Sequence, residues 1–290
     1  MAPLSWFSTL RIRTLPAAAA PVLVGTAVAH AAGGFDVLPA LAALAGALLL
    51  QIGTNLANDY YDHVKGADTA ERAGPKRASG DAIAPLAVKR AAFTAFGFAL
   101  LVGIYLVAHA GWPVLVIGVA GLISGWAYTG GPYPLAYNGL GDLFAFLFFG
   151  PVAVAGTTFV QTGTWEWQAI GWGAALGLMT TAILVVNNLR DRPTDGPVGK
   201  HTLAVRFGDR FSQLQWTACM AGAFAAPFAI GHLTQNTWHL LPVGALVAIT
   251  PPARLIWGDL EPRARMNPAL GGTARVLLLF AVLASVGLLL

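Results

Sequence analysis

The feature that most limits what this chain can fold into is a train of long apolar runs parted by short polar breaks. Nine runs can be drawn, near 15–32, 37–61, 88–108, 112–128, 139–161, 167–192, 213–232, 238–257 and 272–290. A helix of about 20 apolar residues spans the hydrocarbon core of a bilayer. The expected fold is therefore all-α: a polytopic membrane protein of nine transmembrane helices around a central cavity open to the cytoplasmic side. Composition agrees, since 56% of residues are hydrophobic and only 10% charged, against about 25% charged in a soluble domain. The 34 Gly and 18 Pro do not signal disorder here, because both are frequent in membrane helices. Arg11 and Arg13 precede the first run, and Ala29-His30-Ala31 has the small-x-small form of a leader cleavage site. Pro16 and Pro21 interrupt that run and more spans follow, so it reads as the first span. The single Cys219 excludes a disulfide within the chain.

Orientation follows from the basic residues. Counting nine spans puts all 17 Lys and Arg on one side. Arg11 and Arg13 precede the first span. Lys65, Arg72, Lys76, Arg77, Lys89 and Arg90 belong to the second loop. Arg190, Arg192, Lys200, Arg206 and Arg210 belong to the sixth, and Arg254, Arg263, Arg265 and Arg275 to the eighth. The positive-inside rule makes that side cytoplasmic, with the N-terminus inside and the C-terminus outside. The net charge of +4 is thus a matter of topology and gives no reason to invoke nucleic acid.

Two polar stretches close apolar runs and stand four spans apart, so they open to one face. The first is Asn55-Leu-Ala-Asn58-Asp59-Tyr-Tyr-Asp62-His-Val-Lys65-Gly66-Ala-Asp68. On a helix Asn55, Asn58, Asp59 and Asp62 fall within an arc of roughly 100°. The second is Asn187-Asn188-Leu-Arg190-Asp191-Arg192-Pro193-Thr-Asp195. Charges at membrane depth are costly and mark pathways or sites. Carboxylate and amide oxygens suit a hard cation such as Mg²⁺, which is commonly shared with substrate phosphates. Two such stretches facing one cavity form a clamp for a metal-bound diphosphate. Its metal-side candidates are Asn58, Asp59, Asp62, Asp68, Asn188, Asp191 and Asp195. Lys65, Arg72, Lys200 and Arg206 are candidates for phosphate oxygens. Pro193 disfavours helix at Arg192, so the sixth span is expected to bend or end there, with Asp195 on the turn beyond. The repeated pattern suggests one domain over 1–290, built as two pseudo-repeated four-helix units plus a ninth helix.

The other polar residues form no second centre. The six His lack ligand spacing; only His63 and His201 neighbour the clamp. Trp112, Trp165, Trp167 and Trp238 suit an interfacial aromatic belt. Phe144, Phe146, Phe148 and Phe149 are read as packing residues that, where they reach the cavity, suit a prenyl tail and a developing carbocation. The fourth loop, Thr129 to Asn138, carries no charge and is rich in Gly, Pro and Tyr, and Asp142 lies just inside the fifth span. No nucleotide-binding or hydrolase motif is present.

These motifs together resemble the UbiA superfamily of intramembrane prenyltransferases, over essentially the whole chain. The resemblance rests on Arg13-Thr14-Leu15-Pro16-Ala17 with Ala20-Pro21-Val22-Leu23-Val24-Gly25, and on Asn55 to Asp62 with Lys65-Gly66-Ala67-Asp68. It rests also on Gly139-Leu-Gly-Asp142 with Phe148-Phe149-Gly150, and on Asn187-Asn188-Leu-Arg190-Asp191 with Gly199-Lys200-His-Thr202-Leu-Ala-Val-Arg206. Within the superfamily it is similar to the branch that acts on 1,4-dihydroxy-2-naphthoate in menaquinone synthesis. One departure is that Asn58-x3-Asp62 is followed by Gly66 in the next slot, with Asp68 two residues later. The resemblance implies a multi-pass protein of the inner (plasma) membrane and Mg²⁺-dependent transfer from a polyprenyl diphosphate to the naphthoate, with loss of CO₂. It implies catalytic roles for Asp62, Asp191 and Lys200, and an acceptor site drawn from Arg11, Arg13, Tyr128 and Asp142. Other acceptors, 4-hydroxybenzoate, homogentisate or a porphyrin, share the chemistry. A secondary transporter is the reading from another class; the clustering of acids at helix ends, beside phosphate-type cations, weighs against it.

Overall fold

Every regular element among the residues that the computed structural model describes, 6, 11, 14–67, 73–74 and 83–290, is helical. The helices are α1 (Leu15–Ala31), α2 (Val37–Val64), α3 (Pro85–Ala110), α4 (Trp112–Ala127), α5 (Gly141–Phe148), α6 (Pro151–Thr162) and α7 (Trp167–Asp195). They continue as α8 (Leu203–Thr234), α9 (Thr250–Trp257) and α10 (Met266–Leu289), with 3₁₀ stretches at Gly196–Val198, Thr237–Ala248 and Arg263–Arg265. Six stretches among the described residues are long and apolar enough to cross a membrane. A seventh forms if Thr237–Ala248 and α9, bent by 49°, count as one span. α1 and α4 are apolar but have 17 and 16 residues, about 25 Å of helix each. They lie where the first and fourth spans are expected.

Besides a small cluster of Leu106, Val114, Phe159 and Val160, two cores hold the helices. The larger centres on α7, whose Trp172, Leu176, Met179 and Leu189 are wholly buried. Val24 of α1, Met220 and Ala223 of α8, and Leu277, Phe280 and Ala281 of α10 pack with them. The smaller joins Leu56 and Ala57 of α2 to Val88, Ala92 and Phe96 of α3. Large apolar side chains such as Leu38, Leu41, Leu101, Val116 and Val247 face outward. In water so much exposed apolar surface marks an interaction face or an aggregation liability; in lipid it is the ordinary exterior. A cavity lies among the helices, lined by residues of α1 through α7.

Close backbone contact shapes one wall of that cavity. The expected fifth span is broken between α5 and α6. A Cβ on Gly150 would stand 2.4 Å from the Phe146 carbonyl oxygen and 2.6 Å from that of Gly173. Gly173 and Gly177 face the break from α7 with equally little room, a Cβ on Gly177 lying 2.4 Å from the Phe146 oxygen. Small residues on both partners let the backbones touch, the usual device for packing membrane helices.

Pro193 does not end α7. The helix runs through it to Asp195, with the 3₁₀ turn Gly196–Val198 beyond, so Asp195 sits on the helix and not on a turn past it. Proline leaves the carbonyl four residues earlier without its usual donor. That carbonyl, Leu189 O, accepts from Arg263 Nη1 at 3.2 Å. Arg263 also holds Asp209 of α8 at 2.9 and 3.1 Å, and Arg192 of α7 holds the same carboxylate at 2.9 Å. A distant cation thus repairs the gap and ties α7, α8 and the lead-in to α10 together.

Candidate active site

The cavity has a volume of about 690 Å³. Both polar stretches line it: Asn55, Asn58 and Asp62 from α2, and Asn187 and Asn188 from α7. Lys200, Arg11, Tyr128 and Asp142 line it as well. The rest of the wall is largely apolar, with Leu100, Ile104, Leu115 and Val152 among its residues. Phe144, Phe148 and Phe149 reach it while Phe146 does not, and Phe144 and Phe148 stack with ring centroids 6.1 Å apart. Arg13, Asp68 and Arg72 lie outside the described residues.

On α2 the four polar residues face inward, as the helical arc requires. Asp59, 1% exposed, is paired with the Arg11 guanidinium. Asp62, 2% exposed, accepts from the Tyr137 hydroxyl at 2.9 Å. Asn58 Oδ1 accepts from Thr129 Oγ1 at 2.8 Å, and Asn55 Nδ2 donates to Thr14 Oγ1 at 3.0 Å. Lys65 follows the helix and donates to the Thr129 carbonyl at 2.6 Å. Burial holds its ammonium below the usual lysine range, and the Asp62 carboxylate works against that shift. Its Nζ also lies 4.3 Å from the centre of the Tyr137 ring, and Lys200 Nζ lies 5.9 Å from the same centre. Tyr137 therefore joins one acid and two cations drawn from both polar stretches.

On α7 the acids are held differently. Arg190, 3% exposed, grips Asp191 with Nε and Nη2, both at 2.7 Å. Its other donors go to Asn187 Oδ1 at 2.8 Å and to Asn267 Oδ1 of α10 at 2.9 Å. Asn267 then donates to the Ala73 carbonyl at 3.1 Å, in the loop that follows α2. Asp195, 5% exposed, accepts from Lys200 at 3.3 Å through Oδ1, and its Oδ2 is buried without a hydrogen-bond partner. Arg206 turns away from the cavity: Nε donates to His201 O and Nη2 to Asn138 O, both at 3.0 Å. It braces the fourth loop against the segment after α7 and does not reach over the cavity as the sequence led one to expect. His63 and His201 do not line the cavity either.

The two stretches converge electrostatically. Tyr128, just past α4, has its phenol pushed above the usual tyrosine range, first by burial and then by Asp142, Asp62 and Asp195, with Arg11 opposing. It feels acids from both walls and remains a protonated donor. Tyr137, Thr129 and Asn267 are functional neighbours that the sequence reading did not assign. The uncharged fourth loop carries two of them, and its Tyr-rich composition was the only available signal.

These donors fit a hard divalent cation. Asp62 brings a carboxylate and Asn58 and Asn188 bring amide oxygens to the cavity wall, while Asp195, which is not among the lining residues, holds an unmet buried acceptor in Oδ2. Among the described residues no three His, Cys, Asp or Glu side chains form a metal cage by themselves. Mg²⁺ does not need one, since it is usually held by one or two carboxylates and completed by water and substrate phosphates.

Known proteins share this sequence and architecture. The profile described as the UbiA prenyltransferase family matches residues 18–269. A 1,4-dihydroxy-2-naphthoate octaprenyltransferase of Mycobacterium tuberculosis is 41% identical over 229 residues, which is 78% of this chain and 77% of that one. The protein of the same description from Escherichia coli is 37% identical, over 99% of this chain and 95% of its own. In architecture the chain is similar to a UbiA homolog from Aeropyrum pernix, with a TM-score of 0.69 at 14% identity, covering 96% of this chain and 98% of that one. A UbiA homolog from Archaeoglobus fulgidus bound to DMAPP and Mg²⁺ superposes with a TM-score of 0.62 at 14% identity, over 95% and 99% of the two chains.

Proposed function

The chain belongs to the UbiA prenyltransferase family, and from that premise we propose that it transfers a polyprenyl group from its diphosphate to 1,4-dihydroxy-2-naphthoate, with loss of CO₂, as a step toward menaquinone. It is a multi-pass membrane enzyme, a prenyltransferase. One observation carries the reading furthest: Asn55, Asn58 and Asp62 at the end of α2 and Asn187 and Asn188 near the end of α7 line one cavity of about 690 Å³ whose remaining wall is largely apolar and aromatic. The polar end suits a diphosphate, and the apolar remainder suits a prenyl chain.

In this reading Asn58, Asp62, Asn188, Asp191 and Asp195 hold Mg²⁺ together with the diphosphate, with Asp59 and Asp68 beside them. The bound cation supplies charge neutralisation to the leaving group. Lys200 and Lys65, held near each other by Tyr137, turn to phosphate oxygens as negative charge builds on them. Arg72 is proposed for the same task. Arg206 acts one step removed, by fixing the segment that carries Lys200. The apolar wall keeps water from the allylic cation formed when the C–O bond ionises, and Phe144 and Phe148 on that wall suit its charge. Arg11, and Arg13 with it, takes the acceptor carboxylate, while Tyr128 and Asp142 orient its ring.

The topology belongs to the same proposal. Counting α1, α4 and the bent pair as spans gives nine, which puts every Lys and Arg on one side. By the positive-inside rule the cavity then opens to the cytoplasm from the inner membrane, with the N-terminus inside and the C-terminus outside. The similar endings of α2 and α7 support two pseudo-repeated four-helix units plus a ninth helix.

The test is direct. Purified protein with Mg²⁺, geranylgeranyl diphosphate and carboxyl-labelled acceptor should release label as CO₂ in step with prenyl transfer. Label retained in the prenylated product rejects the decarboxylating branch and leaves the family assignment standing. Preference for 4-hydroxybenzoate moves the enzyme to another acceptor class. No prenylation, with a solute crossing proteoliposomes, favours a transporter.

A further inference from the structure

Most polar groups on the cavity wall are engaged with one another at the end formed by α2 and α7. A patch on the wall made by α5 and α7 differs. Asp142 is 8% exposed and Thr180 is 6% exposed; both line the cavity, and neither Asp142 Oδ1 nor Thr180 Oγ1 has a hydrogen-bond partner. Thr181 donates to the Asp142 carbonyl at 3.3 Å and so pins the start of α5 against α7. That places Asp142 and Thr180 on adjoining elements at one level of the cavity. Tyr128 completes the patch. Its hydroxyl lies 3.0 Å from where a Cβ on Gly141 would stand, and Asp142 is the foremost charge acting on it. Gln215 reaches the same carboxyl group from α8, yet Oδ1 is left open.

A buried acceptor without a donor gives up its hydration with nothing in return, the more so when charged. Native structures keep few such groups, and those they keep call for a reason. Here two lie on adjoining elements of the cavity wall, and in the acceptor reading that cavity receives an aromatic diol. We propose that Asp142 is a catalytic proton acceptor for the hydroxyl next to the carboxylate-bearing carbon of the acceptor, with Thr180 and Tyr128 donating to the oxygen left behind. The proposal rests on the acceptor reading above.

The step balances without any added reagent. As the allylic C–O bond breaks, the ring carbon bearing the carboxylate forms the new C–C bond to the prenyl group. The neighbouring hydroxyl gives its proton to Asp142 and becomes a ring carbonyl. Thr180 and Tyr128 donate to that oxygen. The ring now carries a carboxylate beside a ketone; the C–CO₂ bond breaks and its electron pair restores the aromatic ring. The oxygen takes its proton back from Asp142, which leaves the enzyme unchanged.

The experiment is a cycle between residue and substrate hydroxyl. Wild type and Asp142→Asn are assayed with 1,4-dihydroxy-2-naphthoate and with its 1-methoxy ether. Binding of geranyl diphosphate is followed by thermal shift. General acid–base catalysis of this kind contributes about 10²–10⁴-fold. Asp142→Asn should lose that much on the diol, with geranyl diphosphate binding unchanged. Wild type should lose a similar factor on the ether, and the variant on the ether should lose no more than either alone. A variant as fast as wild type on the diol, or two losses that multiply, overturns the proposal. If Asp142→Asn fails to fold, Thr180→Val gives the same cycle. It should cost about 3–10-fold on the diol, the worth of one hydrogen bond, and nothing on the ether; equal loss on both acceptors overturns it. Wild type that consumes no naphthoate defeats the acceptor reading instead.

Discussion

Tyr137 offers the most informative single perturbation, because two kinds of contact it makes among the described residues can be removed one at a time. Its hydroxyl donates to a buried carboxylate, Asp62, at 2.9 Å, and its ring centre lies 4.3 Å from Lys65 Nζ and 5.9 Å from Lys200 Nζ. Tyr137→Phe removes the first contact and keeps the second. A hydrogen bond to a charged group is worth about 1.5–3 kcal/mol, and each 1.36 kcal/mol is tenfold in rate. If Asp62 must be aimed for catalysis, kcat/KM for the prenyl diphosphate should fall by roughly 10- to 150-fold, chiefly through kcat. Tyr137→Leu removes both contacts. Each cation–ring contact adds about 0.5–2 kcal/mol, with Lys65, the less buried of the two, at the low end, so the Leu variant should lose a further factor that shows in KM. The backbone bond from His201 N to Tyr137 O, 3.0 Å long, is kept in both variants, so the loop stays attached. The assay is steady-state prenyl transfer in nanodiscs at saturating acceptor, with a Mg²⁺ titration and a melting curve for each variant. Phe equal to wild type would show that the hydroxyl does nothing for Asp62. Phe as impaired as Leu, in the same parameter, would refute the separation of the two roles.

Other substitutions test other parts of the scheme. Asp62→Ala should cut transfer by at least about 10²-fold with folded yield retained, since it removes a buried charge; full activity in EDTA counts against the metal clamp. Asp191→Ala behaves differently, because it leaves Arg190 buried and unpaired. It should destabilise by about 3–5 kcal/mol, visible as a lower melting temperature, whereas Asp191→Asn keeps an acceptor and should melt closer to wild type. Gly150→Ala should abolish folded protein, since its Cβ would stand 2.4 Å from a backbone oxygen; a well-folded variant contradicts the described packing of α5 against α7. For topology, single cysteines at 165 and 210 in a Cys219→Ala background should separate: an impermeant maleimide labels 165 in intact cells and 210 only after permeabilisation.

The membrane character of the chain was plain from its apolar runs, because hydropathy over 20 residues needs no knowledge of neighbours. The breaks were harder to see. Pro193 signals a helix end by local rules, and it does cost Leu189 its donor. The rules cannot see that Arg263, about 70 residues later, restores the bond. The break at Gly150 is the reverse case. Nothing in Phe148-Phe149-Gly150-Pro151 states that a second backbone will lie against it; that depends on Gly173 and Gly177, which only the packed structure brings near.

At the site, the two polar stretches announced themselves because carboxylates and amides are rare at membrane depth and their spacing fits one helical face. Their partners did not, because none is unusual as a residue. Tyr137 is one aromatic among several in an uncharged loop, Asn267 stands at the start of the last helix, and Thr180 sits in an apolar run. Each gains meaning from what it touches: a motif carboxylate, a motif arginine, an open cavity. The same distinction explains Arg206. Its sequence position beside Lys200 suggested a phosphate ligand, but the fourth loop offers it the carbonyls of His201 and Asn138. A guanidinium already held by two carbonyls is better suited to fixing a loop than to following a substrate. Lys200, with one 3.3 Å bond to Asp195, is the cation left with room to turn. Replacing Arg206 with Lys should therefore alter activity only through the position of Lys200. Pyrophosphate inhibition separates the two cases: Lys200→Met should raise its inhibition constant about tenfold or more, a loss of at least 1.4 kcal/mol, while Arg206→Lys should leave it within about threefold. An equal rise in both variants would return Arg206 to the diphosphate.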